Sequence, residues 1–315
     1  MAQLVPPSGT SAPLVGYVVP FLQSAPNKSC ELDPIPTHIL KSVTHTIAPI
    51  VQKIINISLD EGTVPPAYKT ALVKPLLKNP GLEPIHKNYR LVSNLPFVSK
   101  LIEQSVIDQL EMHAKANDLE DDLQSAYRPN HSTETALLHR VDSLLVAMDN
   151  RKAVLLGMLD LSEVFDTINH DVMLERLHIS YGLDTQATKW FESYLRGRTQ
   201  RVVVENHTSD AVLVEDGAVQ GSKIGCRLYK VYVEPLGKLL RDSSCSNHGY
   251  ADDNTVWKVV NPTCESNVLL GLQSLEQTLE EVRTWMFANK LCLNESKTEF
   301  IVFVQDRHSR HMPEL

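Results

Sequence analysis

Two adjacent carboxylates are the first residues in this sequence whose type and spacing suggest chemistry. Asp252 and Asp253 lie between two segments of strand character, so the pattern predicts a β-hairpin with the pair at its turn. Two like charges so close together repel each other unless solvent or a cation neutralises them. A plain solvated turn would account for the pair. A site for Mg²⁺, which prefers hard oxygen ligands, is the alternative, although the pair in isolation favours the solvated turn.

A third carboxylate strengthens the second interpretation. Asp160 ends the apolar run Ala153 to Leu159, whose length and composition predict a buried strand. If that strand ends beside the hairpin, three carboxylates can together hold two Mg²⁺ ions. Two metal ions activate an attacking hydroxyl and stabilise a leaving pyrophosphate in an in-line displacement. The spacing alone leaves both the phosphoryl-transfer site and the solvated turn open.

Composition and the absence of other motifs narrow the classes of protein. The 315 residues are 43% hydrophobic and 22% charged, which is typical of a globular chain with one large domain or two. The sequence has no P-loop, H-E-x-x-H, G-x-S-x-G or G-x-G-x-x-G pattern. Its five cysteines lack a C-x-x-C pair, which argues against a disulfide framework and a structural zinc site. No apolar run is long enough for a membrane span, and no basic segment precedes the first apolar run. We therefore expect an intracellular protein, nuclear or cytoplasmic, that is neither secreted nor membrane-bound.

Net charge is the feature that opposes a nucleic-acid partner. The chain carries −8, whereas binding to a polyphosphate draws most of its non-specific affinity from basic residues. The charge is uneven, however. The stretch from Lys69 to Lys100 has six basic residues and one acid, and the stretch from Leu101 to Gln124 has seven acids and one lysine. A ligand encounters the local potential, although chance clustering on solvated faces also explains the pattern.

The elements that must position the carboxylates follow from the hydrophobic pattern. Apolar residues of Glu265 to Met286 recur at intervals of three and four, which predicts an amphipathic helix packed on a core. Ser222 to Leu240 predicts a helix that Pro235 should kink or end. After about residue 136 helices and strands alternate, which predicts an α/β or α+β sheet domain preceded by a more irregular basic region. The other expected helices are Pro36 to Glu61, Val98 to Ala116, Thr133 to Met148, Asp171 to Ile179 and Thr185 to Leu195, and the expected strands are Ala153 to Leu161, Gln200 to Glu205, Ala211 to Glu215 and Phe300 to Val304.

The segments around these residues resemble the reverse transcriptases of non-LTR, LINE-type retrotransposons. Leu159 to His170 resembles L-D-L-S-x-A-F-D-T-V-x-H, and Tyr250 to Asp253 matches [FY]-A-D-D. Gly217 to Ser222 resembles G-V-P-Q-G-S, and Trp285 to Glu299 resembles W-x-x-x-N-x-L-x-L-N-x-x-K-T-E. Each block is weak alone, but together they occur in the family's order over residues 30 to 304. Shorter upstream segments that also fit are Leu32 to Pro36, Asn88 to Arg90, Ser93 to Pro96, Gln124 to Arg128 and His131 to Thr135.

The resemblance implies an α+β, right-hand polymerase fold in which fingers precede a palm built on an antiparallel sheet, with the thumb missing. Residues 1–30 would be a Pro-rich lead-in, expected to be disordered, residues 31–135 the fingers region, and residues 136–315 the palm region. The implied activity is RNA-directed DNA polymerase, which transfers dNTPs to the 3′-OH of a DNA primer on an RNA template. Two Mg²⁺ ions would be the cofactors, with Mn²⁺ as an alternative. The endonuclease and thumb of a full-length element would be missing from this chain.

The resemblance also assigns the reacting groups. By their place in the motifs, Asp160, Asp252 and Asp253 would be the metal-binding carboxylates. Lys297 would donate a proton to the leaving pyrophosphate, and an ordinary exposed lysine before the last strand is its alternative. The basic stretch Lys69 to Lys100 would contact the template.

The same carry-over assigns a set of nucleotide-binding residues. Phe165 would be the aromatic gate that packs where a ribose 2′-OH would sit, so that deoxynucleotides are favoured. Gln220 and Gly221 would line the nucleotide and template, because glycine lets backbone approach a ligand closely. Arg128 would contact the incoming triphosphate as a planar bidentate donor. The alternatives are that Phe165 is an ordinary core aromatic, that Gln220 and Gly221 form a strand-to-helix turn, and that Arg128 is a surface arginine. Arginines that would contact the nucleic-acid backbone, or lie on a solvated loop, are Arg196, Arg198 and Arg201.

Several positions depart from the family pattern. Val219 and Leu91 replace its usual prolines, and Ala126 replaces its usual glycine. Arg227 and Lys230 stand on a helix that should be largely buried, where a charge without a partner costs several kcal/mol. These changes favour the alternative of a catalytically inactive, decayed retrotransposon fragment that at most binds nucleic acid. An RNA-templated RNA polymerase fits the gate and the G-V-P-Q-G-S-like segment less well.

Overall fold

Helices and strands alternate along the part of the chain that the structure describes. The structure is a computed structural model that describes residues 15–27, 30–161, 164–219 and 221–305. It confirms the mixed helix-and-sheet class. Within the described residues no helix is both long enough and apolar enough to cross a bilayer. The helices are α1 Val15–Ser24, α2 Thr37–Ser42, α3 Thr44–Glu61, α4 Phe97–Ala116, α5 Thr133–Asp149, α6 Val164–Thr167, α7 His170–Ile179, α8 Thr185–Leu195, α9 Gly225–Asp242 and α10 Glu265–Ala288, and the strands are β1 Thr70–Leu77, β2 Tyr89–Asn94, β3 Ala153–Asp160, β4 Arg198–Val204, β5 His207–Thr208, β6 Val212–Val214, β7 Ser246–Tyr250, β8 Asp253–Val260 and β9 Glu299–Phe303.

The chain divides into two units, each built from two separate stretches. The first unit comprises Met1–Leu119 and Ile168–Val231, and the second comprises Glu120–Thr167 and Tyr232–Leu315. These bounds differ from the sequence-based division at residues 30 and 135, which stays a prediction. A helix, α1, is found within the lead-in that was expected to be disordered. It packs on α3 and buries Val18 and Leu22.

The first unit contains a five-stranded sheet in the order β2-β1-β4-β5, with β6 also paired to β4. β1 is antiparallel to β2 and parallel to β4. The hydrophobic pattern predicted β4 and β6 but not β1 and β2. Lys74 and Pro75 interrupt the apolar run of β1, so only Ala71 to Val73 show the burial typical of a strand. The basic region therefore contains two strands where irregular structure was expected.

Helices α3, α4 and α8 supply the apolar core of the first unit. The predicted helix Pro36 to Glu61 is two helices, α2 and α3, which are separated at Val43. α8 has the predicted bounds, and its N-terminus is capped by Asp184, whose carboxylate accepts a hydrogen bond from the Ala187 amide at 2.8 Å. The buried Trp190 stacks on Tyr194 at 5.4 Å between ring centroids and donates to Ser58 Oγ at 3.0 Å. A buried indole thus has its only donor satisfied.

The second unit is a four-stranded antiparallel sheet with a helix on each face. The strand order is β7-β8-β3-β9. Successive side chains of a strand point to opposite faces. On one face Val154, Leu156 and Trp257 form a cluster with Ala147 of α5. On the other face α10 packs with Gly271 against Val260. The alternating elements predicted a sheet domain here and the resemblance implied that its sheet is antiparallel, and β3 lies inside the strand order.

Pro235 was expected to kink or end helix α9, and the helix continues through it to Asp242, so the proline does not end the helix. A proline inside a helix costs about 3 kcal/mol, because it removes one hydrogen bond and crowds the preceding turn. Leu236 and Leu240, which follow the proline, are each 2% exposed. Burying two leucines contributes about 1.5–3 kcal/mol each, which outweighs that cost.

We expect Gly271→Ala to destabilise the second unit. A Cβ at this position would overlap Cγ1 of the buried Val260. Overpacking of a core costs about 1–3 kcal/mol, which exceeds the roughly 1 kcal/mol that alanine gains over glycine in a helix. Urea denaturation should show a lower midpoint for Gly271→Ala and little change for Glu276→Ala, an exposed position on the same helix. An unchanged or higher midpoint for Gly271→Ala would contradict the close packing of α10 on the sheet.

Candidate active site

The predicted hairpin carries its two carboxylates at the turn. β7 and β8 pair Tyr250 with Asp253, which leaves Ala251 and Asp252 as a two-residue loop. Asp253 is the first residue of β8 and the register partner of Asp160, the last residue of β3. The Leu161 amide donates to the Asp252 carbonyl oxygen at 3.2 Å. Two carboxylates therefore end adjacent antiparallel strands, and the third lies in the loop beside them.

The electrostatics of Asp253 show that the three carboxylates interact. Its pKa is raised above the ordinary value, first by burial and then by the charges of Asp252 and Asp160. Arg140 and Lys297 act in the opposite direction. Each negative charge makes ionisation of the other carboxyl groups less favourable. A group of such carboxylates attracts cations. The sheet thus holds three acids together against their mutual repulsion.

Lys297 lies next to the carboxylate of Asp160. Its Nζ is 3.3 Å from Asp160 Oδ2. A short 3-10 turn, Glu295–Lys297, places it there, because the Asn294 amide donates to the Asp160 carbonyl oxygen at 3.1 Å. The lysine side chain is 57% exposed, and an exposed ion pair contributes only about 0–1 kcal/mol to stability. What it supplies is a local positive charge and protons beside the carboxylates.

A pocket of about 460 Å³ adjoins this pair of groups. Its lining includes Asp160, Asp253 and Lys297, together with Arg140 and Thr255. Arg140 extends from α5 and donates to Thr255 Oγ1 at 2.9 Å. No pattern in the sequence singled out Arg140, since a single arginine on a predicted helix looks the same as a solvated one. With Glu299 as the third acid, three carboxylates and two cations thus border one pocket.

The donor set fits a divalent cation in its chemistry. Carboxylate oxygens are the ligands that Mg²⁺ prefers, and a dication would offset the repulsion that raises the pKa of Asp253. Among the residues that the structure describes, no three His, Cys, Asp or Glu side chains converge on one point that could hold a metal ion. Asp160 contacts the ammonium group of Lys297 instead.

A comparison with protein families decides what kind of chain carries this site. Residues 77–312 match the family described as reverse transcriptase (RNA-dependent DNA polymerase). The match covers well over half of the chain. The chain belongs to the reverse transcriptase family.

Relatives among curated proteins agree with this membership and with the resemblance to non-LTR elements. The chain is 25% identical over 255 residues to the RNA-directed DNA polymerase from mobile element jockey of Drosophila melanogaster, covering 79% of this chain and 27% of that protein. It is 25% identical over 296 residues to the probable RNA-directed DNA polymerase from transposon X-element of the same organism, covering 92% and 31%. It is 26% identical over 223 residues to the corresponding protein from transposon BS, also of that organism, covering 70% and 24%. The chain therefore spans about a quarter to a third of the length of these relatives.

The nucleotide-binding residues expected of a reverse transcriptase are found in different situations. Phe165 lies on α6 and is half-buried, five positions after Asp160, and residues 162–163 between them lie outside the described part of the chain. Arg128 donates to the Asp122 carbonyl oxygen at 3.0 Å and contacts the Asp122 carboxylate at 3.3 Å. Gln220 lies outside the described residues. The role assigned to each of the three stays a prediction.

Gly221 belongs to the first unit and has a structural reason to be glycine. Its φ is +78°, and a Cβ there would overlap the carbonyl oxygen of Ser93 on β2. The close approach expected from glycine is therefore made, within this unit, to the protein's own strand. Its predicted contact with nucleotide and template is untested.

A buried acid that the sequence did not reveal fixes the segment after Gly221. Glu103 on α4 is 1% exposed, and its Oε2 accepts a hydrogen bond from the Lys223 amide at 2.7 Å. Its Oε1 accepts from the Tyr194 hydroxyl at 3.0 Å. Burial raises the pKa of Glu103, and these hydrogen bonds together with Arg198 oppose the rise. Glu103 stands at an apolar position in the pattern of α4, and this is the signal from which a buried acid could have been predicted.

Arg198 does not contact solvent, so the prediction that it contacts nucleic acid is wrong. It is 2% exposed, donates to the Tyr194 carbonyl oxygen at 3.0 Å, and its guanidinium lies 4.7 Å from the centre of the Tyr194 ring. Arg196 is exposed and pairs with Asp171. Two further basic residues, Arg227 and Lys230, are buried as the family pattern of α9 predicted, and both have interaction partners.

The strand before the hairpin turn carries a buried histidine that sequence analysis also missed. His248 Nε2 lies 2.8 Å from Ser125 Oγ, and its ring centre is 4.8 Å from that of His139. Burial lowers the pKa of His248 to about 4, and the positive charges of His139, Arg140 and His131 add to the effect. The imidazole on this hairpin is therefore neutral at physiological pH.

We expect the stability of the second unit to fall as the pH is lowered from about 6.5 towards about 4. The unfolded chain protonates His248 near the ordinary pKa of 6.5, whereas the folded chain keeps it neutral until about 4, so the unfolded state binds more protons between these values. Melting temperatures measured across this range should fall less steeply for His248→Gln, whose amide still reaches Ser125. His45→Gln, an exposed position, is the matched control. Equal slopes for wild type and His248→Gln would contradict the assignment.

Proposed function

We propose that this chain is an RNA-directed DNA polymerase domain that transfers dNTPs to the 3′-OH of a DNA primer on an RNA template. The observation that carries the proposal is the register of Asp160 with Asp253, beside Asp252, in a member of the reverse transcriptase family. We place the palm of a right-hand polymerase fold on the sheet β7-β8-β3-β9, since this sheet bears the three carboxylates.

The residues of the site divide the chemical work between them. Asp160, Asp252 and Asp253 would hold the divalent ions. Bound Mg²⁺ or Mn²⁺ lowers the pKa of an attacking hydroxyl and offsets charge on the leaving group. The primer 3′-oxygen forms a bond to the α-phosphorus as the bond to the pyrophosphate oxygen breaks. Lys297, an ammonium group on the pocket beside Asp160, donates a proton to the departing pyrophosphate.

The basic stretch Lys69 to Lys100 of the first unit supports the proposal that the chain binds an RNA template. Part of that charge is already used, because Lys74 forms an ion pair with Glu31 and Lys78 donates to the Lys87 carbonyl oxygen. With a net charge of −8, the chain should bind an RNA–DNA hybrid weakly and lose that binding as salt rises.

We expect Asp252→Asn to lower primer extension on an RNA template by a factor of about 10³ or more. Charge stabilisation through a metal ion contributes several kcal/mol to such a reaction, and each 1.4 kcal/mol corresponds to a factor of ten. The measurement is incorporation of labelled dNTP with Mg²⁺, and Asp149→Asn, an exposed acid at the end of α5, is the matched control. Equal rates for wild type and Asp252→Asn would exclude the assigned site.

The alternative function is a decayed fragment that at most binds nucleic acid. The substitutions at Val219, Ala126 and Leu91 favour it. The basic residues buried on α9 do not add to this, because both have interaction partners. The same assay separates the two functions. Binding of RNA–DNA hybrid without incorporation above the Asp252→Asn level would establish the fragment.

We expect Phe165→Val to admit ribonucleotides. A smaller side chain at an aromatic gate leaves room for the ribose 2′-OH, so discrimination between dNTPs and rNTPs should fall by about 10- to 100-fold, roughly the effect of a changed apolar contact. The ratio of kcat/KM for a dNTP and its rNTP measures this. Phe287→Val, at an exposed aromatic on α10, should leave the ratio unchanged. An unchanged ratio for Phe165→Val would assign Phe165 to the core.

A further inference from the structure

The loop that carries Asp252 is held by a buried amide from outside the hairpin. Gln124 is 6% exposed. Its Oε1 accepts a hydrogen bond from the Ala251 amide at 2.8 Å, and its Nε2 donates to the Ala251 carbonyl oxygen at 3.2 Å. Both backbone groups of the residue before Asp252 are thus bound by one side chain.

The backbone around Gln124 fixes the position of that side chain. The Ser125 amide donates to the Gly249 carbonyl oxygen at 2.9 Å, and the Gly249 amide donates to the Leu123 carbonyl oxygen at 2.8 Å. Gln124 Oε1 also accepts from the Ala126 amide at 3.1 Å, which restricts its rotamer. A Cβ at Gly249 would lie 2.9 Å from Gln124 Nε2, so glycine is needed for this approach.

The conformation of Ala251 explains why such support matters. Its φ is +53°, a left-handed value that non-glycine residues rarely adopt and that costs of order 1–3 kcal/mol. A primary amide is the neutral side chain that can donate and accept at once, so it can bind the N–H and C=O of one residue.

We propose that Gln124 is a positioning residue of the active site. It locks Ala251, and through it fixes Asp252 and Asp253 relative to Asp160. The inference rests on the proposed polymerase function for its catalytic consequence, but the lock itself is a property of the fold. The proposal does not include a contact between Gln124 and substrate.

Hydrogen exchange of the full chain tests the lock without reference to activity. Gln124→Met keeps the length of the side chain and removes all three hydrogen bonds, whereas Gln124→Glu keeps an acceptor and loses the donor. The Ala251 amide should exchange about 2- to 10-fold faster in Gln124→Met than in wild type, with Gln124→Glu between them, which is the effect of losing the hydrogen bond that this amide donates. Gln277→Met, which removes an exposed amide bonded only to Glu281 on the same helix, should match wild type.

Kinetics then test the catalytic consequence. A displacement of about 1 Å in a reacting group lowers rate by up to 10²-fold, so kcat for primer extension should fall by about 10- to 100-fold in Gln124→Met. KM for primer–template should change less than about three-fold, because the lock does not bind nucleic acid. The Mg²⁺ concentration that gives half the maximal rate should rise. If Gln124 only supported stability, the molecules of Gln124→Met that remain folded would show the same Mg²⁺ dependence as wild type.

The outcomes separate the inference from the proposed function. If wild type incorporates no dNTP, the polymerase proposal fails and the exchange rates alone decide whether Gln124 locks the loop. Unchanged Ala251 exchange in Gln124→Met overturns the lock, and faster exchange with unchanged kcat in an active protein overturns its role in catalysis. Should Gln124→Met fail to fold by circular dichroism, Gly249→Ala, which displaces the amide without removing it, is measured in the same way and carries the same expected results.

Discussion

The second unit depends on holding three negative charges at one end of a sheet. Asp160 and Asp253 are register partners, and Asp252 occupies the loop between them and β7. The cost of that proximity appears as the raised pKa of Asp253. Central placement of β3 between β8 and β9, with α5 and α10 covering the two faces, is what resists the repulsion. The Arg140 and Lys297 cations relieve part of that repulsion.

The same principle, a polar group made immobile by burial, recurs in the first unit. Glu103 lies in the core and holds the Lys223 amide just after Gly221. A buried acid costs free energy unless hydrogen bonds satisfy it, and here they come from backbone and from Tyr194. Both units thus use one buried side chain, Glu103 or Gln124, to fix a short loop that the reverse transcriptase motifs mark. In each case the loop also needs a glycine, Gly221 or Gly249, for close approach of backbone to its neighbour.

Local sequence pattern predicted the helices and strands of this fold better than it predicted which residues contact each other. α8 was predicted from its helical pattern, and β3 was predicted because its apolar residues form a run of strand length. The strand character of the segments on either side placed the Asp pair at a hairpin turn. β1 was missed because Lys74 and Pro75 break its apolar run, and α9 passes Pro235 because burial outweighs a local penalty. Asp160, Asp252 and Asp253 were singled out from an acidic pair, a strand-end acid and motif order, whereas nothing local singled out Gln124, Arg140 and Glu103. Their roles come from contacts between distant parts of the chain, which no local pattern encodes.

The division into two interleaved units bears on how the chain folds during synthesis. The first unit is complete once Val231 has been made, while the second then has only Glu120–Thr167 and must await Tyr232 onward. Domains tend to fold as units in the order in which they emerge. The ribosome therefore exposes β3, a strand of buried apolar residues with no partner, for as long as residues 168–252 take to appear. An aggregation-prone interval of synthesis therefore falls on the strand that bears Asp160.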